Sequence, residues 1–239
     1  MNVLDLFSGI GGFSLGLERA GMKTVAFCET DKKCQEVLRK HWADVPIFDD
    51  VAKLKGEDIG ETVDVICGGF PCQDISVAGK GAGLEGERSG LWWEFHRLIK
   101  EIKPKYAIIE NVSALRTRGL EQILRSLAEI GYDAEWHCIT ASSVGAPHRR
   151  DRVWIISYPK GERVQGLWTS WKQESSTHEE ETIFMRYRKR FRKAYWKAEP
   201  TVARVVDGFS GRVDRVKQLG NAVVPQIPEL IGRAICQAG

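Results

Sequence analysis

Cys72 stands in the run Gly69-Phe70-Pro71-Cys72-Gln73, after an apolar stretch and ahead of a segment holding Gly79, Gly81, Gly83, Gly86 and Gly90. A lone cysteine is usually a small buried hydrophobe, and Cys28, Cys67, Cys138 and Cys236 are expected to be of that kind. Cys72 differs, because it lies beyond the strand end, beside a proline, in polar surroundings. That position suits a nucleophile. The glycines after it, with Lys80 and Arg88, have the composition of a lid that closes over a substrate. Four other features could share its chemistry. The turn Gly9-Ile10-Gly11-Gly12 lets backbone approach a ligand at a helix N-terminus. Glu29, after the next strand, is placed to accept two ribose hydroxyls, and Asp50 follows the strand after that. Glu110 is a carboxyl that burial would keep protonated. Arg150 and Arg152 are fixed cations for developing negative charge. Plainer readings stand beside each: a tight turn, a turn-capping acid, a solvated strand edge.

These residues need a scaffold, and the pattern supplies one. Apolar runs at 3–7, 24–28, 45–48, 63–67 and 106–109 read as strands. Helical periodicity at 13–20, 31–42, 91–102 and 120–130 falls between them, with Gly21 and Gly131 as stops and Pro104 just beyond the third helix. Strands alternating with helices predict a mostly parallel α/β sheet covered on both faces. Two more strands, 133–140 and 152–157, follow each other without a helix, so an antiparallel pair is expected at one edge. Residues 227–236 read as a closing amphipathic helix. In open sheets of this kind ligands sit at the carboxyl ends of the strands, where the glycine turn, Glu29, Asp50, Cys72 and Glu110 all fall. The dinucleotide pattern requires a third glycine where this chain has Ser14. That argues against a dinucleotide and allows another nucleoside ligand, such as S-adenosylmethionine.

The chain has 239 residues, enough to bury a core without disulfides or metals. Hydrophobic residues make up 43% and charged residues 28%, which excludes disordered, collagenous and coiled-coil classes. A net charge of +3 is too small to identify a polyanionic partner, so charge distribution matters more. No run of about 18 apolar residues occurs and no leader is apparent, so a cytoplasmic protein with thiol cysteines is expected. The cysteines are scattered without zinc spacing, and no metal is expected. Beyond Tyr158-Pro159 the composition turns polar, and Arg186, Arg188, Arg190 and Arg192 crowd together among Tyr187, Phe191, Tyr195 and Trp196. The expected organisation is a catalytic and cofactor-binding domain of residues 1–159 and 204–239, with a small target-recognition region at 160–203.

Six motifs in order resemble those of the DNA (cytosine-5) methyltransferases, notably the short bacterial and phage type. Asp5-Leu6-Phe7-Ser8-Gly9-Ile10-Gly11-Gly12 resembles the first cofactor motif, and Glu29-Thr30-Asp31 the second. Gly69-Phe70-Pro71-Cys72-Gln73 is similar to the catalytic motif, and Glu110-Asn111-Val112 to the general-acid motif. Arg150-Asp151-Arg152 resembles the paired-arginine motif, and Gly220-Asn221-Ala222-Val223-Val224-Pro225 the C-terminal one. The likeness covers residues 1–158 and 204–237. This chain departs from the pattern at His148, where the family commonly has Gln, and in its short recognition region.

The resemblance implies a Rossmann-like S-adenosylmethionine-dependent fold and methyl transfer to C5 of cytosine in duplex DNA. The chemistry fits the residues. Cytosine C5 is a poor nucleophile until a thiolate from Cys72 adds to C6, with Glu110 at N3 and Arg150 and Arg152 at O2 and nearby phosphate. Phe7, Ser8, Gly9, Gly11 and Gly12 would contact the cofactor, Glu29 its ribose, Asp50 its adenine and Asn221 its methionyl end. The target base must leave the duplex, and Gln73, Ser76 and Lys80 would fill the gap or hold phosphate. Arg186, Arg188, Arg190 and Arg192 would meet DNA from the recognition region. A monomer is expected, with room for a restriction endonuclease counterpart. Three alternatives stay open: a tRNA-methylating relative, whose Cys-Phe-Thr signature is not found here, a DNA-binding relative without activity, and a nicotinamide oxidoreductase, which would leave Pro71-Cys72 idle.

Overall fold

The computed structural model of the protein describes residues 1–71, 90–162 and 222–238. A seven-stranded sheet forms its centre. The strands are β1 (Asn2–Leu6), β2 (Lys23–Cys28), β3 (Ile47–Phe48), β4 (Val65–Gly68), β5 (Tyr106–Val112), β6 (Tyr132–Thr140) and β7 (Asp151–Pro159). The order across the sheet is β3-β2-β1-β4-β5-β7-β6. All neighbours pair in parallel except β7, which runs antiparallel to both β5 and β6. The antiparallel edge expected from the sequence is therefore present, with β7 inserted between β5 and β6.

The helices are α1 (Gly12–Arg19), α2 (Lys32–His41), α3 (Leu91–Ile102), the single turn α4 (Leu115–Arg118), α5 (Leu120–Glu129) and α6 (Gln226–Ala238). Central strands buried on both faces give two cores. On one face Leu4, Leu6, Ile66, Ile109 and Ile155 meet Trp92, Phe95 and Leu98 of α3 and Ile123 and Leu127 of α5. On the other, Val3, Val65, Ile108, Trp154 and Ile156 meet Phe13 and Leu17 of α1 and Ile227, Ile231 and Ile235 of α6. The period-two alternation thus fixes which residues share a face. Asp5, Cys67, Glu110 and Arg152 all have the parity of the α1–α6 side.

Several expected strands shift at their ends, and in two of them the reason is visible. The stretch 45–48 shrinks to β3, because Pro46 has no N–H to give a ladder, although its carbonyl accepts from Phe27 N at 2.9 Å. The strand expected to end at the acid instead runs on to Val112, since Glu110, Asn111 and Val112 pair with Trp154, Val153 and Arg152 of β7. Glu110 therefore sits inside a strand. Cys28 and Cys67 are buried as expected, whereas Cys138 and Cys236 are exposed, the first on the edge strand β6 and the second near the end of α6. Edge elements have one covered side, so their periodicity does not place every apolar residue in the core.

The C-terminal helix closes the α1 face from more than 200 residues away in sequence. Gly16 is required there: a Cβ on it would lie 2.3 Å from the Pro225 carbonyl oxygen and 2.9 Å from the Glu229 backbone nitrogen. Arg233 seals the contact, bonding Glu229 and the Arg19 carbonyl.

Candidate active site

The first half of the site forms where β1 and β2 end. Phe7 leaves β1 with φ +53°, a left-handed conformation that costs a non-glycine residue about 1–2 kcal/mol. Gly9 (φ +54°) and Gly11 (φ +83°) continue the reversal, so that backbone rather than side chains faces the carboxyl edge. Ser8 is buried and its hydroxyl donates to the Asp5 carbonyl at 2.6 Å. Glu29, at the end of β2, ties the two strand ends together. Its Oε2 accepts the Gly9 N–H at 2.7 Å and its Oε1 the Asp31 N–H at 2.8 Å. Each carboxylate oxygen keeps a further lone pair for a ligand hydroxyl. A Cβ at Gly9 would meet nothing within 4 Å, so the turn is open on its outer side. On its inner side Gly11 rests on Trp42, whose ring atoms lie 2.7 Å from the place a Cβ would take.

Of the two acids after β3, Asp49 accepts from Lys32 and Gln35 and so holds the start of α2. Those donors keep its carboxyl below the ordinary value. Asp50 accepts the Ala52 N–H at 3.0 Å and is partly exposed.

The second half of the site is a side-chain pair. Arg152 Nε donates to Glu110 Oε1 at 2.9 Å, and Arg152 Nη1 donates to the Asp151 carbonyl at 2.9 Å. Glu110 is buried, and burial pushes its carboxyl above the usual range despite the opposing pull of Arg152 and Arg150. A carboxyl poised this way can hold a proton that an exposed glutamate would lose. Its other oxygen, Oε2, is 2.8 Å from where a Cβ on Gly69 would stand. Glycine at 69 lets the acid come close to the backbone three positions before Cys72 with no side chain to displace it.

The structure brings Phe7, Ser8, Gly9, Gly11, Gly12 and Glu29 together at one strand-end cluster, and Glu110 with Arg152 at another. Arg150 stands at the turn into β7 and acts on Glu110 through its charge. Cys72, Gln73, Ser76, Lys80, Arg186, Arg188, Arg190, Arg192 and Asn221 lie outside the described residues, as does most of the expected recognition region. Two residues beyond Asn221 in sequence, Val223 packs its carbonyl oxygen 2.6 Å from a Cβ position on Gly12.

Three residues that sequence reasoning passed over also belong here. Asp5 is fully buried beneath the glycine turn, accepting the Ser14 hydroxyl at 2.7 Å and the Ser14 N–H at 3.2 Å. Burial pushes its carboxyl up to about 7. Gly69 is the second and Asn111 the third. Asn111 Nδ2 donates to the Phe70 carbonyl at 3.1 Å and its Oδ1 accepts the Val112 N–H at 2.8 Å. The signal for Asp5 was available: an acid within the apolar run 3–7 requires a partner once buried.

Among known proteins, the sequence model of the C-5 cytosine-specific DNA methylases matches residues 1–208. A type II methyltransferase of Paramecium bursaria Chlorella virus IL3A is 38% identical over 159 residues, which are 66% of this chain and 43% of that protein. The chain thus spans well under half the length of that curated relative. A prophage-encoded E. coli protein assigned as a DNA modification methyltransferase superposes with a TM-score of 0.57 at 29% identity, covering 66% of this chain and 47% of the other. An Entamoeba histolytica methyltransferase shares the fold more fully, with a TM-score of 0.70 at 12% identity over 99% of this chain and 98% of the other.

Proposed function

The chain belongs to the C-5 cytosine-specific DNA methylase family, and from that premise we propose that it transfers a methyl group from S-adenosylmethionine to C5 of cytosine in duplex DNA. The observation that carries this reading is the buried Glu110, paired with Arg152 and held against Gly69, three positions before Cys72. A protonatable carboxyl and a fixed cation, with a thiol to add, are what addition to a pyrimidine ring requires.

The cofactor fits the first half of the site. The open side of Gly9, the backbone of Gly11 and Gly12, and the Glu29 carboxylate would hold its nucleoside, with Phe7 beside it, Ser8 buttressing the turn, Asp50 toward the adenine and Asn221 toward the methionyl end. When bound, it supplies an electrophilic methyl group on sulfur. The chain's own residues do the rest. Cys72, three positions after Gly69 and so within a tether of about 10 Å, adds as thiolate to C6 of the ring. Glu110 delivers its proton toward N3 as the ring takes up electrons, which makes C5 an enamine carbon able to attack. Arg152, anchored to Glu110, and Arg150 beside it hold the ring oxygen and adjacent phosphate. After transfer N3 returns its proton to the Glu110 carboxylate. Loss of the C5 proton to solvent water then re-forms the C5–C6 double bond as the C6–S bond breaks and frees the thiolate.

Recognition of the DNA sequence is assigned to residues 160–203, on the density of Arg186, Arg188, Arg190 and Arg192 among aromatic residues. An element of that size contacts a site of about four to six base pairs. The words type II in the viral relative's name support a restriction endonuclease counterpart.

Labelled S-adenosylmethionine offered with duplex DNA or with tRNA tests the substrate: label should enter DNA cytosine only. Duplex carrying 5-fluorocytosine at the target should trap a covalent complex, because fluorine cannot leave as a cation. Cys72→Ala should trap none while still binding cofactor. An adduct in that variant, or label in tRNA alone, would sink this reading.

A further inference from the structure

The carboxyl edge of the sheet carries its charge in two separate groups. After β2 and β3 stand Glu29, Asp31, Asp49 and Asp50. The segments 112–119 and 145–152, which follow β5 and lead into β7, hold Arg116, Arg118, Arg149, Arg150 and Arg152 against one acid, Asp151. They meet because β7 is antiparallel to β5, which brings the start of one strand to the end of the other, with Val112 opposite Arg152.

Within the basic group the residues differ in kind. Arg152 is drawn inward to Glu110. Arg116 and Arg149 are exposed. Arg149, its side chain 86% exposed, reaches Asp151 only at 3.8 Å, a surface pair that contributes little to folding. Arg116 rides on α4, where its Nε donates to the Ser113 carbonyl at a long 3.4 Å. Neither side chain has a packing role, yet both add charge to a rim already crowded with like charge. Such a rim raises the local concentration of polyanions.

We infer that Arg116 and Arg149 are phosphate anchors that hold the DNA backbone beside the target base, one from the β5 side and one from the β7 side of the Glu110–Arg152 pair. The inference rests on the duplex-DNA reading above and adds two contacts outside the recognition region. A base can rotate out of the stack only about its own backbone, so the neighbouring phosphates are what the protein has to hold there. Contacts of this kind position the duplex and carry no sequence information.

The test measures affinity against salt for a duplex that the wild type methylates and for one that it does not. Wild-type chain, Arg116→Ala, Arg149→Ala and the double variant are compared, with thermal unfolding and cofactor affinity as checks on folding. Each lost phosphate contact should lower the slope of log K against log salt by about 0.9. Each single variant should therefore lose about one, and the double variant about two. The preference for the methylated duplex should not change, and Arg→Lys at both positions should restore most of the slope, since a phosphate needs only a point charge here. An unchanged slope overturns the inference, as does a loss of preference between the two duplexes, which would make these residues base readers. A wild-type chain that binds no duplex overturns the underlying reading as well. If the double variant melts early, the single variants decide.

Discussion

The two ends of the site are built in different ways. Above β1 and β2 the binding surface is mostly backbone: a left-handed Phe7, Gly9 and Gly11 in positive φ, and a carboxylate that clamps the turn. Its parts are close in sequence, from Asp5 to Asp50, and their charge is acidic. Above β4, β5 and β7 the surface is side chains, a buried acid and a partly buried arginine whose contact needs β5 and β7 side by side, and its charge is basic. The acidic end suits hydroxyls and a cationic sulfur, and the basic end suits a polyanion. Gly68 and Gly69, at the end of β4, stand between β1 and β5 and put no side chain between the two groups. Segregation keeps each group from neutralising the other, which a mixed edge would not do.

If the halves work separately, damage to one should leave the other intact. The largest expected effect is at Glu110. Glu110→Gln should lower the methylation rate by about 10²–10⁴-fold, the usual worth of a general acid, with cofactor affinity by calorimetry unchanged. In the wild type the rate should fall as pH rises through the elevated titration of Glu110, and that limb should vanish in the variant. A variant with the wild-type pH profile would remove Glu110 from proton delivery.

Asp5 tests the other half through stability. Its carboxyl titrates at about 7 when folded, against an ordinary 3.8. The folded state therefore holds the proton more tightly than the unfolded chain. The stabilisation is complete below about pH 4 and is lost as pH rises through about 7, by roughly 3–5 kcal/mol in all. The stability difference between wild type and Asp5→Asn, measured by denaturant unfolding across this range, should fall by that amount with rising pH. A flat difference would mean that Asp5 stays ionised throughout.

Glu29→Ala comes next. Losing two charge-assisted hydrogen bonds costs roughly 1.5–3 kcal/mol, so S-adenosylmethionine affinity should weaken about tenfold to a hundredfold. Duplex affinity measured without cofactor should hold. Loss of both affinities together would show the halves to be coupled.

The smallest effect is expected at Gly69→Ala. Its new methyl must displace Glu110 Oε2 from 2.8 Å. The side chain can yield by a few tenths of an ångström, so the rate should fall about tenfold, the equivalent of about 1.4 kcal/mol, with cofactor affinity unchanged. A larger fall in cofactor affinity than in rate would place Gly69 in the other half.

The sequence by itself determined the alternation of strands and helices, the glycine turn, and the order of Glu29, Cys72, Glu110 and Arg152 along the chain. Period-two and helical patterns are local, and two of the turn's three positive-φ positions show themselves as glycine, Phe7 being the exception. Helix 91–102 matches α3 residue for residue because Gly90 and Pro104 bracket its apolar stripe. Pairing across the sheet is not local. The insertion of β7 between β5 and β6, which brings Arg152 to Glu110, follows from the packing of Val153 and Ile155 on one face and Trp154 and Ile156 on the other. The same holds for Val223 against Gly12 and α6 against Gly16, and for the raised titration of Asp5 and Glu110. Burial depends on what the rest of the chain puts around a residue, so only the tertiary structure decided which acids hold a proton and which arginine is turned inward.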